Sequence, residues 1–364
     1  MGTSAYRIAE GSRYKILASP NYNYQFDKKT GQFARWGNTH SDDPFFSPFG
    51  PEICDIEIST ICHQGCQQCY KSNTATGENM SLETFKQIFH KLPRTLTQIA
   101  FGIGSIDANP DLWAIMDYCR NNDYQEVIPN ITINGDRMET EDFVRLTKTC
   151  GAVAVSNYDK DTCYNTVLAL HAWKEELEEE EATLQQINIH QVLCEDTLNQ
   201  CMSLLDDMRT DPRLVNRLNA VVFLLLKPKG KRNKLKQLKS MKQYKALIDK
   251  ALDNNLPFGF DSCGAHGFLQ VVKDRPNYKQ LLQVAEPCES TLFSIYINVA
   301  GQSVPCSFCE GESGFENSID MLNSDIFLSE VWYSSLFENF RTKLRASQEQ
   351  KGCRTCPVFD LEMK

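Results

Sequence analysis

The chain has 364 residues, 41% of them hydrophobic and 23% charged, with a formal net charge of −9. That length holds a barrel-sized core plus an appendage, and the composition excludes collagen-like, low-complexity and disordered chains. The acidic balance works against whole-surface attraction to nucleic acid, and no apolar run has the pattern of a signal peptide or of a membrane span, so a cytoplasmic protein without membrane or nucleic-acid partners is expected.

Residues 21–37 alternate Tyr22, Tyr24 and Phe26, then turn at Asp27–Gly31, then carry Phe33 to Trp36. This is the period of a hairpin, expected on the edge of the main domain with its aromatics packed. A Pro- and Phe-rich linker, SDDPFFSPFGPE, then leads inward. Residues 1–52 are therefore read as an N-terminal hairpin extension.

From residue 53 to 256, strand-like runs at 54–60, 97–102, 127–133, 152–156, 186–193 and 219–226 alternate with helical stretches, the mark of a parallel α/β sheet. Ser81 is placed to cap a helix carrying Leu82, Phe85, Ile88 and Phe89, and Leu112, Ile115 and Met116 repeat the helical spacing. Six such units with inward-pointing β-branched residues suggest a partial (β/α)6 barrel of TIM type, whose site lies at the C-terminal ends of the strands. Two charged runs, Glu175 to Glu181 and Lys227 to Lys245, overlap helical apolar spacing and read as solvated helix faces. The loop KPKGKR, directly after the sixth strand, also has the placement to attract an anion on the active face. Residues 257–364 turn to Gly-rich loops, a short hairpin at 294–304 and six cysteines. They are read as a small Cys-rich second domain.

Fifteen cysteines are too few for a disulfide scaffold. In a reducing compartment metal ligation comes before disulfides. In ICHQGCQQCY, Cys62, Cys66 and Cys69 form a tight loop whose thiolates can converge on one cluster. Three ligands to four irons leave one iron open, as a catalytic site requires, whereas a zinc site would want a fourth nearby ligand, for which His63 is poorly placed.

The segment CHQGCQQCY, after the strand CDIEIST, resembles the Cys-x3-Cys-x2-Cys-aromatic signature of the radical S-adenosylmethionine (SAM) superfamily. The resemblance implies a [4Fe-4S] cluster whose open iron is chelated by SAM, and reductive cleavage of SAM to methionine and a 5′-deoxyadenosyl radical that abstracts a substrate hydrogen. It also implies a reductant such as flavodoxin or ferredoxin. By the same resemblance Tyr70 packs near the adenine. FGIGSID corresponds to the family's Gly-Gly-Glu strip for the methionyl amine, with Gly102 and Gly104 in place and Ser105 where the family has glutamate. ITINGD and AVAVSNYD resemble the third- and fourth-strand ends, which carries over Asn134 and Ser156.

In EPCESTLFSIYINVAGQSVPCSFC, twelve residues separate Cys288 from Gly301 and four more lead to Cys306, and a Cys-x2-Cys pair, Cys353 and Cys356, follows. This is similar to the C-terminal extension of SPASM and twitch radical SAM enzymes and implies an auxiliary iron–sulfur cluster. Eight residues follow Cys356 and none is cysteine, so one auxiliary [4Fe-4S] cluster on Cys288, Cys306, Cys353 and Cys356 is expected. Cys309 and Cys263 stand as substitutes or bystanders. A zinc site on Cys306, Cys309, Cys353 and Cys356 remains open as the alternative. Cys263, flanked by Asp261 and His266, is also a candidate hydrogen donor or acid–base group.

Three readings follow. One is modification of a peptide or protein side chain, in the manner of enzymes that mature ribosomal peptides. The others are a radical SAM enzyme on a nucleotide or other small molecule, and a non-catalytic iron–sulfur or zinc protein.

Overall fold

The computed structural model describes residues 6–178 and 181–364. The first four strands, β1 (Arg7–Glu10), β2 (Tyr14–Ala18), β3 (Asn23–Asp27) and β4 (Phe33–Trp36), form an antiparallel sheet in sequence order. The expected hairpin is β3 with β4, where Phe26 opposes Phe33 and Asn23 opposes Trp36. It does not edge the main sheet, because its own sheet buries Tyr22, Tyr24 and Phe26 against Phe49, Phe293 and Tyr296. Each such aromatic stabilises the docking by roughly 1.5–3 kcal/mol. Their hydroxyls are also partnered, Tyr24 with Thr97 Oγ1 at 3.0 Å and Tyr22 with Glu52.

The main sheet has ten strands. Its parallel run is β5 (Ile53–Glu57), β6 (Gln98–Gly102), β7 (Ile128–Ile133), β8 (Ala152–Ser156), β9 (Gln186–Leu193), β10 (Ala220–Leu225) and β11 (Phe258–Phe260), each beside its successor. The connecting helices are α1 (Leu82–Phe89), α2 (Leu112–Arg120), α3 (Thr140–Thr149), α4 (Lys160–Glu176), α5 (Leu198–Thr210) and α6 (Met241–Asp253). Ser81 caps α1 as expected, its side chain accepting from the Thr84 N–H at 3.1 Å.

Along the strands, Ile131, Ile133, Val153, Val155, Ile187, Ile189 and Val221 are buried in the core shared with the helices. The opposite faces carry Asp55, Ala100, Gly102, Thr132, Ser156, His190 and Leu224, which line one cavity. Most of these β-branched residues therefore point outward to the helices, not inward as expected, and the cavity side mixes apolar residues such as Leu224 and Val192 with the polar Asp55, Ser156 and His190. Because residues from β5 and β10 line the same cavity, the sheet is curled into a partial barrel.

On the far side, β12 (Ser294–Ile297) pairs parallel with β5, and β13 (Gln302–Val304) and β14 (Ile319–Asp320) continue antiparallel. The expected hairpin at 294–304 thus extends the barrel sheet itself. Near residue 257 the chain is likewise continuous, since β11 pairs with β10 and α7 (Ala265–Val272) packs on α6. Two further helices follow, α8 (Tyr278–Gln283) and α9 (Ser335–Lys351). Gly352, at φ 71°, ends α9 in the left-handed region that glycine adopts without cost, and turns the chain into Cys353.

The basic run is not one helix. Residues 227–240 form a loop, and α6 begins only at Met241, capped by Ser240, whose side chain accepts from the Gln243 N–H. Of the acidic run, Glu179 and Glu180 lie outside the described residues, and α4 ends at Glu176.

Candidate functional site

The loop after β5 carries the three cysteines to the mouth of the barrel. Its backbone is fixed at both ends, with the Cys62 N–H donating to Thr74 O at 2.8 Å and the Ser72 N–H to Cys69 O at 3.1 Å. The thiols converge: burial first, and then the charges of Cys62 and Cys69, push Cys66 up to about 11. Three thiols that line one partly open cavity are a donor set suited to an iron–sulfur cluster, which would bind them as thiolates.

The glycine strip lies directly beneath. A Cβ on Gly104 would stand 2.1 Å from Ile61 O and 2.5 Å from Cys62 Cβ, so only glycine lets β6 approach the cysteine loop this closely. Ser105 is fully buried and turned to the loop, its hydroxyl accepting from the His63 N–H at 3.4 Å. It is not among the residues that line the cavity, in contrast to Gly102 and Gly104. Asn134 lines the cavity and donates to Gly104 O at 2.9 Å, so it braces the strip. Ser156 and Tyr70 line the same cavity, and the Tyr70 ring packs on Phe308 with centroids 4.4 Å apart.

The cavity measures about 410 Å³, within the roughly 300–1,000 Å³ typical of small-molecule sites. It brings together Cys62, Cys66, Cys69, Tyr70, Gly102, Gly104, Asn134 and Ser156. Its floor holds groups not singled out from the sequence. Asp55 faces the interior, where burial pushes its carboxyl up to about 6, and burial holds His190 down to about 4. Tyr158 lies beside Ser156 and is raised to about 12, chiefly by burial and then by the charge of Cys66. The signal for Asp55 was present in CDIEIS, where charged residues alternate with apolar ones on a strand.

The KPKGKR loop folds down over the cysteine loop. Gly230, at φ 106°, lies so close that a Cβ would stand 2.3 Å from Cys69 O. The Arg232 guanidinium donates to Asn73 O at 2.8 Å and its charge favours the Cys66 thiolate. Lys227 pairs with Asp261, and Lys229 pairs with Glu312 at 2.7 Å. Those two lysines are spent on internal ion pairs, which removes much of the loop's expected pull on an anion.

A second set of cysteines lies behind Phe308. Ser307 and Phe308 line the cavity, and they sit between Cys306 and Cys309, whose sulfurs are 3.5 Å apart. Cys263 and Cys356 line one cavity, and their mutual interaction raises the first and lowers the second. Cys288 is pushed up to about 12 by burial and by the charge of Cys306, with Cys356 also contributing. Cys353, also expected as a ligand, directly follows the end of α9. Its thiol turns to Arg354 O at 3.5 Å.

Residues 288–357 match the SPASM family, an iron–sulfur cluster-binding domain. No curated protein matches the sequence. Among solved structures, Streptococcus suis SuiB bound to S-adenosylmethionine aligns with a TM-score of 0.60 and 15% identity, over 81% of this chain and 68% of that one. A second SuiB structure aligns with a TM-score of 0.66 and 12% identity, over 91% and 90%. The structure of anSMEcpe with bound AdoMet and the Cp18Cys peptide aligns with a TM-score of 0.56 and 14% identity, over 80% and 82%. The chain shares the fold of these S-adenosylmethionine-bound structures, and its C-terminal part matches the SPASM domain. Among the described residues no helix is long and apolar enough to cross a membrane.

Proposed function

We propose that this chain is a radical SAM enzyme that reductively cleaves S-adenosylmethionine and modifies a side chain of a peptide or protein. The observation that carries the proposal is the convergence of Cys62, Cys66 and Cys69 on a cavity whose wall is Gly102, Gly104, Asn134 and Ser156. These three thiols would hold a [4Fe-4S] cluster, which when loaded supplies one electron to bound SAM and so a radical able to abstract hydrogen.

The chain's own residues serve binding and exclusion of water. Gly102 and Gly104 offer bare backbone to the methionyl amine in place of the glutamate that Ser105 replaces, and Ser156 offers a hydroxyl to a ribose. Tyr70 and Phe308 present aromatic faces, Tyr70 for the adenine, while the KPKGKR loop covers the cysteine loop and limits water. Asp55 and His190 line the interior, where a substrate side chain would enter.

A peptide substrate is favoured because anSMEcpe, of similar fold, has been solved with a bound peptide. The internal pairing of Lys227 and Lys229 takes support from an anionic small molecule. The free thiols of all fifteen cysteines suit a cytoplasmic setting, where flavodoxin or ferredoxin would serve as reductant.

Anaerobic reconstitution followed by SAM and dithionite tests the proposal. Formation of 5′-deoxyadenosine and methionine is expected, and a peptide encoded beside the gene should change mass. A fully reconstituted protein that yields neither product would leave the non-catalytic iron–sulfur reading in its place.

A further inference from the structure

Strand β5 lies inside the main sheet, paired with β6 on one side and β12 on the other, and it buries Cys54, Ile56 and Glu57. Asp55, on the same strand, is nevertheless solvent-exposed, because its side chain stands in the cavity that the three cysteines line. It comes two residues before Glu57, so it sits roughly 7 Å deeper along the strand. The other charged side chains that line the cavity have partners. Glu57 pairs with Lys71 at 3.1 Å, Lys227 pairs with Asp261, and the Arg232 guanidinium donates to Asn73 O at 2.8 Å. Arg232 keeps one unpartnered N–H at Nε, but it lies at the mouth, where its charge favours the Cys66 thiolate. Among the described residues no hydrogen bond or ion pair holds the Asp55 carboxylate, and burial alone acts on it.

An ionised carboxylate in an enclosed cavity is costly unless a cation with N–H donors reaches it. The surrounding walls set the shape of what can arrive. Across the β5–β6 pair Asp55 opposes Ala100, whose small side chain leaves room, and Val192 and Leu224 line the same cavity from β9 and β10. His190, on β9, also lines it with its ring unpartnered among the described residues, and burial keeps that ring neutral, so it brings no competing positive charge. Apolar walls around a buried acid suit a long aliphatic stem that ends in a positive charge.

We propose that Asp55 is the specificity residue of this cavity and receives the cationic end of a lysine or arginine side chain of the peptide substrate. The inference rests on the reading of the chain as a radical SAM enzyme acting on a peptide, and it adds the class of side chain taken into the barrel. With the charge held at the floor and the peptide backbone outside, the carbons of the stem are the part of that residue left near the mouth, where Cys62, Cys66 and Cys69 lie.

The test uses the full chain, reconstituted anaerobically with iron and sulfide and supplied with SAM, and acetylated, amidated pentapeptides Gly-Gly-X-Gly-Gly in which X is lysine, arginine, ornithine, norleucine or glutamate. Affinity is read by calorimetry without reductant, and 5′-deoxyadenosine is measured after dithionite is added. The lysine or the arginine peptide is expected to bind at least about tenfold more tightly than the norleucine peptide, which carries a comparable stem without the charge, and the glutamate peptide more weakly still. D55N should remove the preference for the cationic peptides. Equal binding of the lysine, arginine and norleucine peptides, or binding of none of them, would overturn the proposal, and so would a preference that survives D55N. If D55N fails to fold by circular dichroism, D55E replaces it. Its longer side chain should move the preference from lysine toward the shorter ornithine, and an unchanged ranking refutes the contact. A protein that binds the lysine peptide through Asp55 yet forms no 5′-deoxyadenosine would instead sink the radical SAM reading and leave the cation site standing.

Discussion

The two cysteine sites are built in opposite ways. The first draws Cys62, Cys66 and Cys69 from one loop of eight residues, half-buried at the mouth of a cavity and steadied by backbone hydrogen bonds. The second region carries its cysteines on separated segments, Cys263 at the end of β11, Cys288 on the approach to β12, Cys306 and Cys309 in the turn after β13, and Cys353 and Cys356 after α9. The first is open on one side to small molecules. The second is enclosed by aromatic packing and a buried ion pair. Phe308, between Cys306 and Cys309 and against Tyr70, lies where the two regions touch.

That contrast is most directly broken at Cys66. C66A is expected to abolish 5′-deoxyadenosine formation and to lower iron from about eight to about four per chain, read by product chromatography and metal analysis. Retained turnover would place the reactive cluster elsewhere.

Trp332 anchors the second region to the linker before β5, donating from Nε1 to Ser47 O at 2.8 Å while fully buried. W332A should cost about 3–5 kcal/mol in denaturant unfolding, through the cavity left and the orphaned carbonyl.

Gly104 tests the first region without removing a ligand. G104A forces a Cβ against Ile61 O and should destabilise by about 1–3 kcal/mol. Because the displaced element is the cysteine loop, kcat/KM for SAM cleavage should fall by about tenfold or more while auxiliary-site iron stays constant.

The smallest effect is expected at Asp55. Burial raises its carboxyl from 3.8 to about 6, so the folded state prefers the protonated form. Its favourable contribution is complete below pH 3.8 and is lost as pH rises through about 6. D55N should therefore flatten the pH dependence of stability between about pH 4 and 6 by about 1 kcal/mol or less, a figure discounted because the carboxyl faces a cavity open to water. Thermal melts across that range would reveal it, and parallel profiles for both proteins would contradict it.

Much of the barrel was legible because a parallel sheet with helical crossovers writes itself as alternating apolar runs. All six expected runs are strands, and Ser81 caps its helix as its residue type and position require. The orientation of those strands was not legible. Runs such as AVAVS are apolar on both faces, and only packing decides which face meets the helices. The basic run from Lys227 to Ser240 had helical spacing but became a loop, because Gly230 is needed against Cys69 and the lysines find carboxylates far away in sequence.

The same division holds for the two sites. The sequence by itself determined the triple-cysteine loop, since ligands three and four residues apart are held together by chain connectivity whatever the rest of the fold does. Only the tertiary structure decided where the later cysteines lie. Cys263 and Cys356 are 93 positions apart in the chain, and they meet because β11 adds to one edge of the curled sheet while α9 ends beside it. Spacing pointed to Cys353 through its Cys-x2-Cys pair. The turn that follows Gly352 sends the Cys353 thiol to the Arg354 carbonyl and leaves Cys356 on the cavity that Cys263 also lines.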